Sequence, residues 1–446
     1  MARVALLVVG LALSVSAQYG VPKPQNLPGG TVPPAQAGSE QWLLKPTVFP
    51  ASRFDARADA DLLHEAFKGP LANESVIVSI LPHRSLAQRL VIADKYKKYH
   101  GKDLREELKE ELTGHMEDIS KGMVTPLPIQ YSKFLKDAME GPGTTEAELT
   151  EILCGNDNAM IRDIVQSYTE RYGKRLQADL EGETSGALER LLVLLVQANR
   201  DESYLVNNQK VSDDVVALYN GGKVNWHDDP SRLNQVLALR SFPHIRRVFL
   251  ELSRKTGKDI KDLVEEQFSS GTEDGYVACV RVIQDPQKYF AKVLNKAMEG
   301  LGTNDKTLIR VALTRSEIDL GNIKEAYQQK YQRSVIKDIQ EETSGSYRNM
   351  LTAIFELSAA ESEYETGART ERMQLAIALS CLLFCYVVVL PTLIDVEELH
   401  PLVDIYFLGL CASLLYTLLC CHIAEFGTEH FDKISGTKPC KLLPTS

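Results

Sequence analysis

The chain has no surplus of positive charge: 50 Lys and Arg stand against 60 Asp and Glu among 446 residues, a formal net charge of −10. No basic stripe with interleaved aromatics offsets that balance, which argues against a nucleic-acid partner. Cysteine is sparse where cross-links would matter. Of eight cysteines only Cys154 and Cys279 precede residue 380, the others standing at 381, 385, 411, 420, 421 and 440. That is no disulfide framework. A nucleophile motif, a zinc-ligand set and a phosphate-cradling Gly-Lys-Ser/Thr loop are all missing, so an enzyme is the least expected class. An acidic protein is not drawn to an anionic membrane by net charge, and a divalent cation would have to bridge the two.

What the chain does have is a pattern written twice. Ala138-Met139-Glu140-Gly141-Pro142-Gly143-Thr144 is followed, forty residues past Gly143, by Glu183-Thr184-Ser185-Gly186. Ala297-Met298-Glu299-Gly300-Leu301-Gly302-Thr303 is followed, forty residues past Gly302, by Glu342-Thr343-Ser344-Gly345. A lone Gly-x-Gly-Thr is a common turn; two copies with a carboxylate at the same separation are specific. Calcium takes roughly six to eight oxygen ligands, and a Gly-x-Gly loop between helices can turn tightly enough to aim several carbonyls at one centre. On this reading Met139, Gly141 and Gly143 supply carbonyl oxygens and Glu183 a bidentate carboxylate. Met298, Gly300, Gly302 and Glu342 do the same in the second copy. One carboxylate with neutral carbonyls leaves the shell underfilled and net positive, so a lipid phosphate or carboxylate can complete it.

These motifs resemble those of the annexin family, over roughly residues 54 to 358. The resemblance extends to Phe54-Asp55-Ala56-Arg57-Ala58-Asp59, His83-Arg84-Ser85, Glu111-Leu112-Thr113-Gly114 and Thr314-Arg315-Ser316-Glu317-Ile318-Asp319-Leu320. It implies an all-α fold of four repeats, each of five short helices, forming a curved disc that meets membranes on its convex side. It also implies calcium-dependent binding of acidic phospholipids with phosphatidylserine-like headgroups. The repeats fall at 51–121, 128–202, 210–285 and 286–360. Helical spacing predicts core positions at Leu149, Ile152, Leu153, Ile161, Ile164, Val165 and Tyr168 in the second repeat. Leu308, Ile309, Leu313, Ile323, Ala326, Tyr327 and Tyr331 are their counterparts in the fourth. Thr144 and Thr303, just after the glycine loops, are placed to act as helix N-caps.

The first and third repeats depart from the pattern. Phe67-Lys68-Gly69-Pro70-Leu71-Ala72 has Leu71 and Ala72 where the second Gly and the Thr belong, although Glu111 still stands forty residues past Leu71. A weak calcium site or none is expected there. In the third repeat Asn225-Trp226-His227-Asp228-Asp229-Pro230 replaces the loop, and Gln267, with Phe268-Ser269-Ser270-Gly271 after it, stands where the carboxylate belongs. That site is expected to be lost. Trp226 either sits in a lipid interface, where its amphipathic ring is favoured, or packs inside the third repeat. His227 has no second His or Cys spaced to join it on a metal. Arg84, Arg240 and Arg315 recur at similar positions and are expected to bind buried carbonyls or carboxylates within each unit. Cys154 and Cys279 read as small buried hydrophobes. Arg105-Glu106-Glu107-Leu108-Lys109-Glu110 reads as a solvated face, and Asn73-Glu74-Ser75 as a glycosylation sequon that matters only if the chain is translocated.

The two ends do not fit the family. Residues 1–17 read as a secretory signal, with Arg3, an apolar run from Val4 to Leu13, and Val15-Ser16-Ala17 as a cleavage site. Residues 18–50 are a Pro- and Gly-rich linker. In 372–446, the stretches 373–394 and 405–424 are each long enough to span a bilayer core of about 30 Å. Arg369 and Arg372 before them and Lys433, Lys438 and Lys441 after them put the repeats and the C-terminus in the cytosol. A cleaved signal would instead put the repeats in the lumen. The leading expectation is calcium-dependent attachment at the cytoplasmic face of membranes. The alternatives are a secreted protein, or an integral membrane scaffold or pore component anchored by the hairpin.

Overall fold

The structure, a computed structural model, describes residues 44–356 apart from 142 and 301. The signal-like segment and the two apolar stretches lie outside the described residues. Among the described residues no helix is long and apolar enough to cross a membrane.

Twenty α-helices, with no strand among the described residues, fall into four groups of five. The first group is α1 (Ala56–Ala66), α2 (Glu74–Ile80), α3 (Leu86–His100), α4 (Leu104–Glu111) and α5 (Gly114–Met123). The second is α6 (Leu127–Met139), α7 (Glu146–Gly155), α8 (Asn158–Tyr172), α9 (Leu176–Glu183) and α10 (Gly186–Val196). The third is α11 (Asn208–Leu218), α12 (Ser231–Leu239), α13 (Phe242–Thr256), α14 (Ile260–Gln267) and α15 (Ser270–Gln284). The fourth is α16 (Pro286–Met298), α17 (Asp305–Arg315), α18 (Leu320–Tyr331), α19 (Val335–Glu342) and α20 (Gly345–Phe355).

Local chemistry sets the helix ends. Asp55, Asp157 and Asp259 accept backbone N–H groups at the starts of α1, α8 and α14, and Ser85 forms a reciprocal capping box with Gln88 at α3. The third helix of each group ends on a left-handed residue. This is Gly101, Gly173 and Gly257 in the first three groups and Gln332, at φ 56°, in the fourth.

The predicted apolar positions are inside. Leu149, Ile152, Leu153, Ile161, Ile164, Tyr168, Leu308, Ile309, Ile323 and Tyr327 are buried, while Val165, Leu313, Ala326 and Tyr331 are partly buried against the same cores. The cores do not follow sequence order. One joins the second and third groups, from Tyr131 to Ile283. The other joins the first group to the fourth, Val48 to Val124 with Phe290 to Phe355. Leu313 touches both. A buried ionic cluster also crosses between them: the Arg310 guanidinium, 4% exposed, pairs with Glu148 and Glu151, and Tyr289 donates to Glu151. Burial pulls Arg310 below its ordinary value and pushes Glu148 above its own.

An N-terminal strap fastens the fourth group. Thr47 and Val48 N–H both donate to Ser316 O, at 2.7 and 3.1 Å, and Gly321 N–H donates to Lys45 O at 2.7 Å. A Cβ at Gly321 would collide with Lys45 O and Cβ, so only glycine admits the strap there.

The three recurring arginines bind carboxylates. Arg84 pairs with Asp59, Arg240 with Asp214 and Arg315 with Asp319. The acidic run in α4 needs a correction. Glu107 is not on the solvated face but buried, accepting from Tyr96 Oη at 2.8 Å and Lys102 Nζ at 3.0 Å.

Candidate metal centre

The connection between the first two helices of each group carries the candidate site. In the second group α6 ends at Met139, and Gly141 and Gly143 take φ of 108° and 122°. In the fourth α16 ends at Met298, and Gly300 and Gly302 take φ of 103° and 87°. All four lie in the positive-φ region that side chains disfavour, so the sequence requirement for glycine is conformational. It is not steric, since a Cβ on any of them would meet no atom within 4 Å. The loops face open solvent. Each is closed by a backbone bond, Thr145 N–H to Ala138 O at 2.9 Å and Asn304 N–H to Ala297 O at 2.7 Å.

The distant glutamates are brought to these loops. Thr144 Oγ1 donates to Glu183 O at 3.2 Å. Thr303 Oγ1 donates to Glu342 O at 3.3 Å and to Glu342 Oε2 at 3.1 Å. This corrects the capping role expected for the two threonines. The N-caps are Thr145 and Asn304, one residue later, and Asn304 caps Thr307 N–H. The threonines instead tether the loop to the end of the fourth helix. Neither Glu183 nor Glu342 has a cationic side chain paired with it among the described residues. No cluster of three or more His, Cys, Asp or Glu side chains that could hold a metal occurs among the described residues. A cation at either loop would therefore rely on backbone carbonyls plus one carboxylate, a donor set of oxygens only, suited to a hard cation such as Ca2+.

The first group keeps the closing bond, Asn73 N–H to Ala66 O at 2.8 Å, but not the backbone, since neither Gly69 nor Leu71 takes a positive φ. Leu71 is 85% exposed. In the third group the loop is rebuilt around Gln267. Its Oε1 accepts from Trp226 N–H at 3.0 Å and His227 N–H at 3.4 Å, and His227 Nδ1 lies 3.2 Å from Gln267 O. Trp226 is 3% exposed, with Nε1 donating to Leu218 O at 3.0 Å, so its place is in the core. The neutral amide here bonds to the loop backbone, where in the fourth group the Glu342 carboxylate accepts from Thr303 and in the second the Glu183 carbonyl accepts from Thr144. No spacing argument revealed that role for Gln267. The signal was available only as a glutamine standing at the carboxylate position.

The annexin family model matches residues 58–122, 130–195 and 289–354, leaving out the group whose loop is rebuilt. Mouse annexin A13 is 39% identical over 302 residues, 68% of this chain and 95% of that one. Human annexin A7 is 41% identical over 309 residues, 69% of this chain and 63% of that one. The solved structure of calcium-bound annexin (Sm)1 superposes with a TM-score of 0.64 at 29% identity, covering 70% of this chain and 93% of that one. The chain belongs to the annexin family, the calcium-dependent phospholipid-binding proteins, and its cofactor is Ca2+.

Proposed function

We propose that this protein attaches peripherally to acidic phospholipid surfaces through two calcium ions, held in the second and fourth repeats. The carbonyls of Met139, Gly141 and Gly143 with the Glu183 carboxylate hold one. Those of Met298, Gly300 and Gly302 with Glu342 hold the other. The observation that carries this reading is the recurrence, in these two repeats alone, of paired positive-φ glycines with a threonine-tethered glutamate. The glycines let successive carbonyls converge, the threonines position the glutamates, and the underfilled shell leaves coordination places for a phosphate or carboxylate of the headgroup. Calcium supplies the positive charge that a chain of net charge −10 lacks toward an anionic surface. Two loops instead of four imply a higher calcium requirement. The membrane face addressed is the cytoplasmic one.

The test is sedimentation of residues 44–356, which contain both hydrophobic cores, with phosphatidylserine vesicles across a calcium titration reversed by chelator. Binding is expected with calcium, to be lost on chelation, and to be absent from the double variant E183Q/E342Q. Strong calcium-dependent binding by the double variant would overturn the site assignment.

A further inference from the structure

Helices α7 and α15 lie side by side in matched register, joining the second repeat to the third. Steps of four residues put Glu146, Thr150 and Cys154 on one face of α7, and Gly271, Gly275 and Cys279 on one face of α15. A Cβ on Gly271 would run into the Glu146 carboxylate, and one on Gly275 would run into Leu188 of α10 and lie 3.2 Å from Thr150 Oγ1. One on Gly155 would lie 3.2 Å from Val282 Cγ1. Glycines thus bring the two helices close, and the next step along the same ridge sets thiol against thiol. Cys154 Sγ and Cys279 Sγ are 2.7 Å apart, both free and both fully buried. A third group completes the cluster. Arg200, 8% exposed, places Nη2 3.8 Å from Cys154 Sγ while its Nη1 donates to Arg240 O at 3.0 Å.

We propose that Cys154 and Cys279 form a reversible dithiol–disulfide modification site, closed by a hydroperoxide, that cross-links the second repeat to the third. The residues are 125 apart in sequence, so the bond would close a long loop and restrict the unfolded chain accordingly. It would also pin α7, which follows directly on the Gly141–Gly143 loop. The cluster is asymmetric in a way that assigns roles. Burial raises both thiols. At Cys154 the hydrogen bond with Cys279 and the Arg200 guanidinium outweigh burial and bring it below the ordinary thiol value, whereas Cys279 lies well above it. The Arg200 guanidinium, 3.8 Å from Cys154 Sγ, favours the thiolate there, so Cys154 is the attacking sulfur. Its thiolate displaces hydroxide from the peroxide, forming an S–O bond as the O–O bond breaks, and the thiol proton leaves with the hydroxide as water. The Cys279 sulfur then attacks the sulfenic sulfur, forming the S–S bond and releasing a second water that carries the Cys279 proton. Two thiols and one hydrogen peroxide give one disulfide and two waters. A dithiol reductant reverses the bond by exchange.

The test exposes the full chain to hydrogen peroxide, blocks remaining thiols with an alkylating agent after unfolding, and maps peptides by mass spectrometry. The expected result is a peptide pair joined through Cys154 and Cys279, lost on reduction. The thermal midpoint should rise on oxidation of the wild type and not on oxidation of C279A. Should C279A fail to fold, the wild-type map decides alone. If Cys154 and Cys279 stay fully alkylatable while the cysteines beyond residue 380 oxidise, the pair is packing only and the proposal falls. Linkage of either to a different cysteine would overturn it equally.

Discussion

Tyr168 Oη donates to Asp179 Oδ2 at 2.6 Å, tying α8 to α9 across eleven residues. The same tie joins Tyr96 to Glu107 at 2.8 Å in the first repeat and Tyr327 to Asp338 in the fourth. In the third repeat the two positions hold Leu252 and Leu263, both buried. The repeat that has Gln267 at the loop carboxylate position thus also has two buried leucines in place of the internal polar tie.

Replacing Tyr168 by Phe is accordingly a mild change. Asp179 keeps Lys136 Nζ at 3.8 Å and Lys174 Nζ at 3.9 Å, so the carboxylate is not stranded and the loss should be about 1 kcal/mol. Urea denaturation of Y168F measures it. A loss above about 3 kcal/mol would mean that the lysines do not compensate.

The threonine tethers are unequal. Thr303 reaches both the carbonyl and the carboxylate of Glu342, whereas Thr144 reaches only the Glu183 carbonyl. T303V should therefore raise the calcium needed for vesicle binding more than T144V does, by a few-fold, with T303S restoring it. Calcium titrations of the three variants decide the point, and equal shifts for T303V and T144V would deny the hydroxyl any part in aiming the carboxylate.

Asp214 ties its repeat together and gives stability a pH dependence. It is fully buried and accepts from Arg232 at 2.9 Å, Arg240 at 2.8 Å and His244 at 2.9 Å. Burial alone would raise its carboxyl, but the hydrogen bond and charge of Arg240, then His244 and Arg232, hold it below the ordinary value of 3.8. A depressed folded-state value means the contribution is complete above the unfolded value and is lost as pH falls through the folded one. The loss should thus appear below about pH 4. D214N should cost about 2–3 kcal/mol at pH 7, below the usual figure for a broken buried pair because both arginines stay partly exposed. The cost should be smaller at pH 3, where the wild type has begun to lose the same interaction. Denaturant melts at the two pH values test this, and an equal cost at both would remove Asp214 as the titrating group.

The sequence displayed the helices and the two loops because both rest on local requirements. Residues such as Ile161, Ile164 and Tyr168 recur at the helical period, and Gly143 and Gly302 sit where only a positive φ will serve. Contacts set by tertiary packing were not legible. Nothing in the spacing of Tyr96 and Glu107 marks Glu107 as buried, since three of its four charged neighbours in the run, Glu106, Lys109 and Glu110, are exposed. Nothing announces that the first repeat shares its core with the fourth, because that follows from how the groups close on one another. The threonines misled for a related reason: a hydroxyl near a helix start reads as a cap until a carbonyl forty residues away is placed beside it.

The first repeat retains most of a calcium loop. It keeps the Ala66–Asn73 closing bond, the Gly69-Pro70 step that parallels Gly141-Pro142, and Glu111 at the matching distance. What it lacks is the residue that permits positive φ and the hydroxyl that tethers the glutamate. L71G/A72T supplies both, and because Leu71 is 85% exposed its removal empties no core. The double variant should bind one calcium more than the wild type and sediment with acidic vesicles at a lower calcium concentration. Adding E111Q should cancel both gains. Calorimetric stoichiometry with calcium is the deciding measurement. An unchanged count would show that Gly-Pro-Gly-Thr with a glutamate forty residues on is not sufficient, and that α1 and α4 are set at a distance the loop cannot bridge.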